Sequence, residues 1–121
     1  MIKFQSVTKI YPPSTTALED VNFEIKPKEF VSIVGKSGAG KTTLLKFLLV
    51  EERPTKGKIF FDGMDIGTLK RNDLPLLRRK IGAVFQDYKL IPSKTVYENV
   101  AYAMEVIGAS GIEIKRDVPM I

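Results

Sequence analysis

The feature that most constrains this chain is the glycine-rich stretch at residues 35–42, which has the sequence GKSGAGKT. It matches the phosphate-binding loop pattern G-x-x-x-x-G-K-[S/T] at Gly35, Gly40, Lys41 and Thr42. Glycines let a backbone approach a ligand closely, and the N–H groups at the start of a following helix attract anionic oxygens. A lysine at this place reaches the β- and γ-phosphates of a nucleotide, and the threonine hydroxyl ligates Mg²⁺. The stretch predicts a nucleotide-phosphate site.

The surroundings of this loop strengthen the prediction. Four fixed positions coincide by chance in roughly one chain of this length in a few hundred. Residues 30–34 (FVSIV) form an almost continuous apolar run, which is typical of a strand covered on both faces. Residues 41–50 then place leucines at helical spacing, and Pro54 and Gly57 end the region. We therefore expect a buried strand before the loop and a helix after it.

Other segments predict further strands and one long helix. Ile2, Phe4 and Val7 indicate a first strand, and alternating residues 21–25 indicate a second. Residues 58–61 and 64–66 flank Asp62-Gly63, a strong hairpin signal. Residues 81–85 predict another short apolar strand. Residues 95–98 (TVYE) have the form of a capping box, and Gly108 lies where the following helix is expected to end.

Early antiparallel strands followed by a strand–loop–helix unit predict an α/β fold. We expect an antiparallel β-subdomain attached to an incomplete parallel-sheet core that carries the P-loop helix. With 121 residues, the chain has room for a single domain, residues 1–121.

Composition excludes several classes of chemistry. The chain has no cysteine and no histidine, so disulfides, thiolate nucleophiles and histidine bases are excluded within it. The net charge of +5 suits an acidic ligand, a nucleic acid or an anionic membrane surface and selects none of them; a generally basic solvated surface explains it equally well. The lysines of residues 1–10 argue against a signal peptide, and no apolar run approaches the roughly 20 residues that span a bilayer. We expect a cytoplasmic protein that meets a membrane through a partner.

A phosphate-binding loop by itself leaves the class of nucleotide-binding protein open. A GTPase would carry an Asn-Lys-x-Asp motif, and the chain has no such run. A nucleoside kinase would carry an arginine-rich lid later in the chain, and none is identified.

When Tyr11 and residues 84–87 (VFQD) are taken together with the loop, the sequence resembles the nucleotide-binding domain of ATP-binding cassette (ABC) proteins. Residues 35–43 follow that family's form of the loop, G-x-S-G-x-G-K-[S/T]-T, and residues 58–63 resemble its β-hairpin. Residues 51–55, 84–90 and 94–101 are most similar to the ATP-binding subunit of a bacterial cell-division complex. Lipoprotein-release and macrolide-export ATPases are similar enough to remain alternatives.

The resemblance implies a role for particular residues. Tyr11 falls at the aromatic that stacks on adenine, although a tyrosine that merely closes a strand is the alternative. Gln86 falls at the glutamine that reaches Mg²⁺ and the attacking water, although a polar residue that merely ends a strand is the alternative. Lys41 and Gln86 are then the catalytic positions, and Thr42 and Gln86 are the magnesium positions. The ATP contacts are expected from Tyr11, Gly35, Ser37, Gly38, Ala39, Gly40, Lys41, Thr42 and Thr43.

The resemblance also implies partners. They are a polytopic membrane subunit facing residues 87–95, and a second copy of the intact domain, with no nucleic acid. One position departs from the family pattern, because Lys28 stands where a turn glycine is common; if that turn needs a positive φ, Lys28 is strained.

Several of the family's elements have no counterpart in the sequence. These are the Leu-Ser-Gly-Gly signature, the apolar strand ending in Asp-Glu, and the switch histidine. We therefore expect a truncated domain that binds ATP and does not hydrolyse it by the family mechanism. A non-catalytic module that binds nucleotide or a partner is the hypothesis from a different class.

Overall fold

A computed structural model describes residues 1–121, which form two compact units, Met1–Leu77 and Arg78–Ile121. Each unit is described by itself. The strands are β1 (Ile2–Tyr11), β2 (Thr15–Ile25), β3 (Lys56–Phe61) and β4 (Met64–Asp65). The α-helices are α1 (Lys41–Leu48), α2 (Leu74–Arg78), α3 (Val96–Ile107) and α4 (Gly111–Asp117), and short 3₁₀ turns cover Ile66–Thr68, Arg71–Asp73 and Val118–Met120.

One antiparallel sheet organises the N-terminal unit, with the strand order β2-β1-β3-β4. Phe4 and Val7 of β1 and Ile59 of β3 are its most deeply buried sheet residues, and the Phe4 ring stacks on Phe23 with centroids 4.4 Å apart. The two N-terminal strands predicted from the sequence are confirmed. The second begins earlier than predicted, at Thr15.

A bulge in β1 explains why buried residues three apart lie on one face. Strand pairing shifts register between Phe4 and Val7, and Ser6 between them has φ 48°. The Ser6 N–H donates to Asn22 Oδ1 at 2.7 Å, so the backbone group released from the ladder is satisfied by β2. Strict alternation would have turned one of the two apolar side chains towards solvent.

The predicted hairpin is present, with different strand limits. Asp62 and Gly63 both have positive φ, 48° and 79°, as the tight turn of a two-residue hairpin requires. The first strand starts at Lys56, earlier than predicted, and the second has only two residues. Ile66 is buried but begins a 3₁₀ turn, so its prediction as strand was wrong.

The two strands predicted for a parallel core are also wrong. Residues 30–34 and 81–85 have no strand structure. Phe30 is 95% exposed, Val34 is 88% exposed and Val84 is 100% exposed. Apolar and β-branched residues favour a strand only where a neighbouring backbone supplies hydrogen bonds, and neither segment pairs with the sheet.

The C-terminal unit contains an irregular segment that leads into α3, followed by α4 and the last 3₁₀ turn. The predicted capping box of α3 is confirmed: Thr95 Oγ1 accepts from the Glu98 N–H at 3.2 Å, and Glu98 Oε2 accepts from the Thr95 N–H at 2.7 Å. Gly108 ends α3 with φ 95°. A core of Ala101, Ile114 and Val118 joins the two helices. None of the helices combines the length and the hydrophobicity that spanning a lipid bilayer requires.

Lys28 has φ 67° in the exposed turn after β2, as expected for a position that favours glycine. Replacing Lys28 with glycine is expected to raise the free energy of unfolding by about 0.5–1 kcal/mol, because glycine adopts this φ without a Cβ penalty. Urea unfolding followed by circular dichroism measures the change. Lys28→Ala is the matched control, since it removes the charge and keeps the Cβ. An equal gain in both variants would show that charge, and not backbone strain, is responsible.

Candidate nucleotide-binding site

The phosphate-binding loop leads directly into α1. Gly40 is the N-cap of α1 with φ 81°, and its carbonyl accepts the first helical bond from the Leu44 N–H at 3.1 Å. No side chain caps this helix start and no acidic residue lies in its first turn. The first backbone N–H groups of α1 therefore have no partner within the helix start. Together with the positive end of the helix dipole, they can bind an anionic ligand.

Two glycines of the loop serve different purposes. A Cβ on Gly40 would lie 2.6 Å from both the Ala17 carbonyl oxygen and Leu18 Cδ2, so only glycine lets the loop pack on β2. Gly38 has φ 80°, but the space around its Cα is open. Gly40 lets the loop pack closely on the sheet, and Gly38 leaves room for a ligand to approach the backbone.

The Lys41 side chain folds back over the loop and binds its backbone. Its Nζ donates to the Gly35 carbonyl at 2.8 Å and to the Lys36 carbonyl at 2.7 Å. The structure therefore brings together the first glycine and the lysine of the motif, and sets a positive charge at the mouth of the loop. Ammonium and backbone N–H groups converging on one place form a cradle for phosphate oxygens.

The two threonines after Lys41 have different surroundings. Thr42 is exposed, so its hydroxyl is accessible to a metal ion. Thr43 is buried, and its Oγ1 lies 3.4 Å from the Tyr11 hydroxyl. Thr43 thus joins the P-loop helix to the residue that the sequence predicts to stack on adenine.

Tyr11 lies at the end of β1 in a cluster of charged side chains. Its hydroxyl donates to Glu52 Oε2 at 2.6 Å. Lys9 Nζ lies 3.1 Å from Glu52 Oε2 and 4.9 Å from the Tyr11 ring centroid, while Lys46 Nζ donates to Glu52 Oε1 at 3.0 Å. Sequence reasoning missed Glu52, Lys9 and Lys46. The only available signal was that Lys9 and Tyr11, two apart in a strand, share a face.

The cluster favours the ionised carboxylate. Hydrogen bonds from the Tyr11 hydroxyl and then from Lys46 lower the pKa of Glu52 from 4.5 to about 2. The same carboxylate raises the pKa of Lys46 above its ordinary value. Glu52 is therefore negative at any pH near neutrality.

Between pH 6 and pH 3.5, the free energy of unfolding of the wild type is expected to fall by about 1.4 kcal/mol more than that of Glu52→Gln. The folded-state pKa is depressed, so this stabilisation is fully present above the ordinary pKa of 4.5 and is lost as the pH falls towards about 2. Urea unfolding at the two pH values tests it. Glu52→Gln keeps every other titrating group and is therefore the control for their contribution. Parallel profiles of the free energy of unfolding against pH for the two proteins would contradict the prediction.

Gln86 lies in the C-terminal unit, in an exposed irregular segment. Next to it, Asp87 pairs with Lys89 at 2.6 Å, and the Tyr88 N–H donates to the Phe85 carbonyl at 3.2 Å. The role of Gln86 at a magnesium ion stays a prediction. Tyr88 and Leu90, which lie in the segment 87–95 expected to face a membrane subunit, are also exposed.

The sequence profile of the ABC transporter family matches residues 18–119. The chain belongs to the ABC transporter family. This ABC chain is 50% identical over 118 residues to the cell division ATP-binding protein FtsE of Bacillus subtilis, covering 98% of the chain and 52% of the relative. It is 48% identical to FtsE of Escherichia coli K12, and the match covers 98% of the chain and 53% of that relative. The ABC chain thus spans about half the length of the curated relatives it matches.

Solved ABC cassettes share the fold. The dimeric post-hydrolysis state of the cassette MJ0796 bound to ADP and Pi superposes with a TM-score of 0.89 at 38% identity, covering 99% of this chain and 55% of that one. CbiO1 from Clostridium perfringens, part of the complex cbiONQ, gives 0.82 at 32% identity, with 98% and 47% covered. The predicted α/β P-loop fold of ABC type is confirmed, as a partial domain with an antiparallel sheet.

Proposed function

We propose that this chain is the ATP-binding portion of an FtsE-like ABC ATPase that acts in bacterial cell division. The observation that carries the proposal is the Lys41 ammonium, held over the loop carbonyls at the uncapped start of α1. The similarity to FtsE proteins selects cell division among the family's roles. No observation favours the lipoprotein-release or macrolide-export alternatives.

In this proposal the backbone N–H groups of residues 35–43 and Lys41 bind the phosphates, and the Tyr11 ring stacks on the adenine. The residues present suit Mg²⁺, because the exposed Thr42 hydroxyl stands next to Lys41 and offers the hard oxygen that this ion prefers. Bound Mg²⁺ would neutralise charge on the phosphate oxygens. Gln86 is proposed as a second magnesium position that also orients the attacking water.

For the whole protein we propose ATP hydrolysis by a homodimer and coupling to a polytopic, FtsX-like membrane subunit at the cytoplasmic face. The dimeric MJ0796 cassette supports the homodimer. For residues 1–121, proposed as a single ABC-type domain, we propose binding without turnover, because the sequence has no signature motif and no histidine.

Titration with MgATP tests the proposal. Lys41→Ala is expected to weaken binding at least about tenfold, since a charge-assisted phosphate contact contributes about 1.5–3 kcal/mol. Lys36→Ala is the matched control, because it removes the same charge from the same loop. Its affinity for MgATP should stay within about threefold of the wild type. Equal affinity of wild type and Lys41→Ala would overturn the phosphate-site assignment. Steady-state ATP turnover by the wild type that Lys41→Ala abolishes would contradict binding without turnover.

A further inference from the structure

The residues around Glu52 include three, Lys9, Lys46 and Glu52 itself, to which the proposed ATP site assigns no role. We call Lys9, Tyr11, Thr43, Lys46 and Glu52 the Glu52 cluster. Its members come from β1, from α1 and from the segment after α1. All five belong to the N-terminal unit, so the distances among them are distances within one compact body.

Glu52 binds the two elements through separate oxygens. Oε2 accepts from the Tyr11 hydroxyl of β1 at 2.6 Å, and Oε1 accepts from Lys46 Nζ of α1 at 3.0 Å. Its backbone N–H also donates to the Lys46 carbonyl at 3.4 Å, next to the 2.8 Å bond from the Glu51 N–H. A single carboxylate thus connects the end of β1 to the helix that carries the P-loop lysine.

The hydrogen bond to Glu52 fixes the position of the Tyr11 hydroxyl. A tyrosine side chain has two rotatable torsions, and a charge-assisted bond at its hydroxyl holds the far end of the ring. Lys9 Nζ lies over one face of the ring, 4.9 Å from its centroid. The same lysine pairs with Glu52 and donates to the Arg53 carbonyl at 2.9 Å, so it is held in place. Lys9 therefore occupies one face of the ring, and the adenine of the proposed ATP site would stack on the opposite face.

We propose that Glu52 is a positioning residue for nucleotide base recognition, which holds the Tyr11 ring at a fixed place relative to the phosphate-binding start of α1. The inference rests on the proposed ATP site and adds the device that sets the distance between its two ends. A ring held before binding loses less conformational freedom when the base stacks on it, so the affinity for the base increases. Affinity for the triphosphate alone does not depend on this device.

Two ligands separate positioning from general structural damage: MgATP, and magnesium tripolyphosphate, which has no base. Glu52→Leu removes the acceptor at similar size, and Tyr11→Phe removes only the donor. Each is expected to weaken MgATP binding about fivefold to tenfold and to leave tripolyphosphate binding within about twofold. Glu52→Gln, whose amide oxygen still accepts from the Tyr11 hydroxyl, should lie between Glu52→Leu and the wild type. The double variant Tyr11→Phe with Glu52→Leu should bind MgATP no more weakly than the weaker single variant, because both remove one interaction.

Two results in the Tyr11 and Glu52 variants would overturn the inference. The first is Tyr11→Phe binding MgATP like the wild type. The second is Glu52→Leu weakening both ligands equally, which would indicate a structural role only. Lys41→Ala, measured beside them, separates this failure from that of the proposed function. Loss of both ligands in Lys41→Ala confirms the phosphate site whatever the Glu52 variants do, and wild type that binds neither ligand overturns both proposals.

Discussion

Replacing Phe47 with alanine is expected to lower the free energy of unfolding by about 3–5 kcal/mol. The ring is 1% exposed and lies on the inner side of α1, where Lys9 Nζ of β1 approaches within 5.9 Å of its centroid. Removing it leaves a cavity between the helix and the sheet in addition to the lost burial. Urea unfolding monitored by circular dichroism measures the loss.

Leu45→Ala is the matched control, because it truncates an apolar side chain of the same helix that is 58% exposed. It should change the free energy of unfolding by no more than about 0.5 kcal/mol. MgATP affinity should fall with Phe47→Ala and stay unchanged with Leu45→Ala, since α1 carries Lys41 and depends on this anchor. Equal destabilisation by the two variants would mean that α1 is not held to the sheet by Phe47.

Gly57→Ala is expected to cost about 3 kcal/mol, the sum of a left-handed backbone penalty and overpacking against main chain. Gly57 has φ 85°, and a Cβ there would overlap the Ser6 carbonyl oxygen and lie 2.5 Å from the Gln5 carbonyl oxygen. These atoms belong to the bulge of β1. Backbone cannot move aside as a flexible side chain can, so the pairing of β1 with β3 must shift.

Gly63→Ala isolates the first of these two contributions, the left-handed backbone penalty. Gly63 has a similar φ of 79° and nothing within 4 Å of the added Cβ, so about 1 kcal/mol of backbone strain is all that is expected. Thermal or urea unfolding of the two variants gives the difference directly. If Gly63→Ala costs as much as Gly57→Ala, the close approach to the bulge contributes nothing.

Features whose cause is local could be predicted from the sequence. The hairpin turn at Asp62-Gly63 and the capping box of Thr95 and Glu98 each depend on residues close together in the chain. The positive φ of Lys28 follows the family resemblance instead, which has a turn glycine at this position. The Ser110 and Glu113 side chains form a second capping box that starts α4, and its spacing was equally visible in the sequence.

Features that depend on a distant partner could not be predicted. Residues 30–34 and 81–85 have the composition of buried strands, and the structure leaves them unpaired because a strand needs a neighbouring backbone as well as apolar side chains. The β1 bulge depends on Asn22, which lies in another strand. No periodicity within β1 indicates where the register shifts.

The candidate site also has one part with a local cause and one part that depends on distant residues. The proposed phosphate cradle could be predicted from residue order alone, because its glycines and its lysine lie within a few residues and the following helix supplies the N–H groups. How Tyr11 is held could not be predicted, since the carboxylate that accepts the hydrogen bond from its hydroxyl is 41 residues away and meets it through the packing of α1 on the sheet. Short-range geometry is fixed by residue type and spacing, whereas a contact between distant residues exists only after the core has brought its elements together.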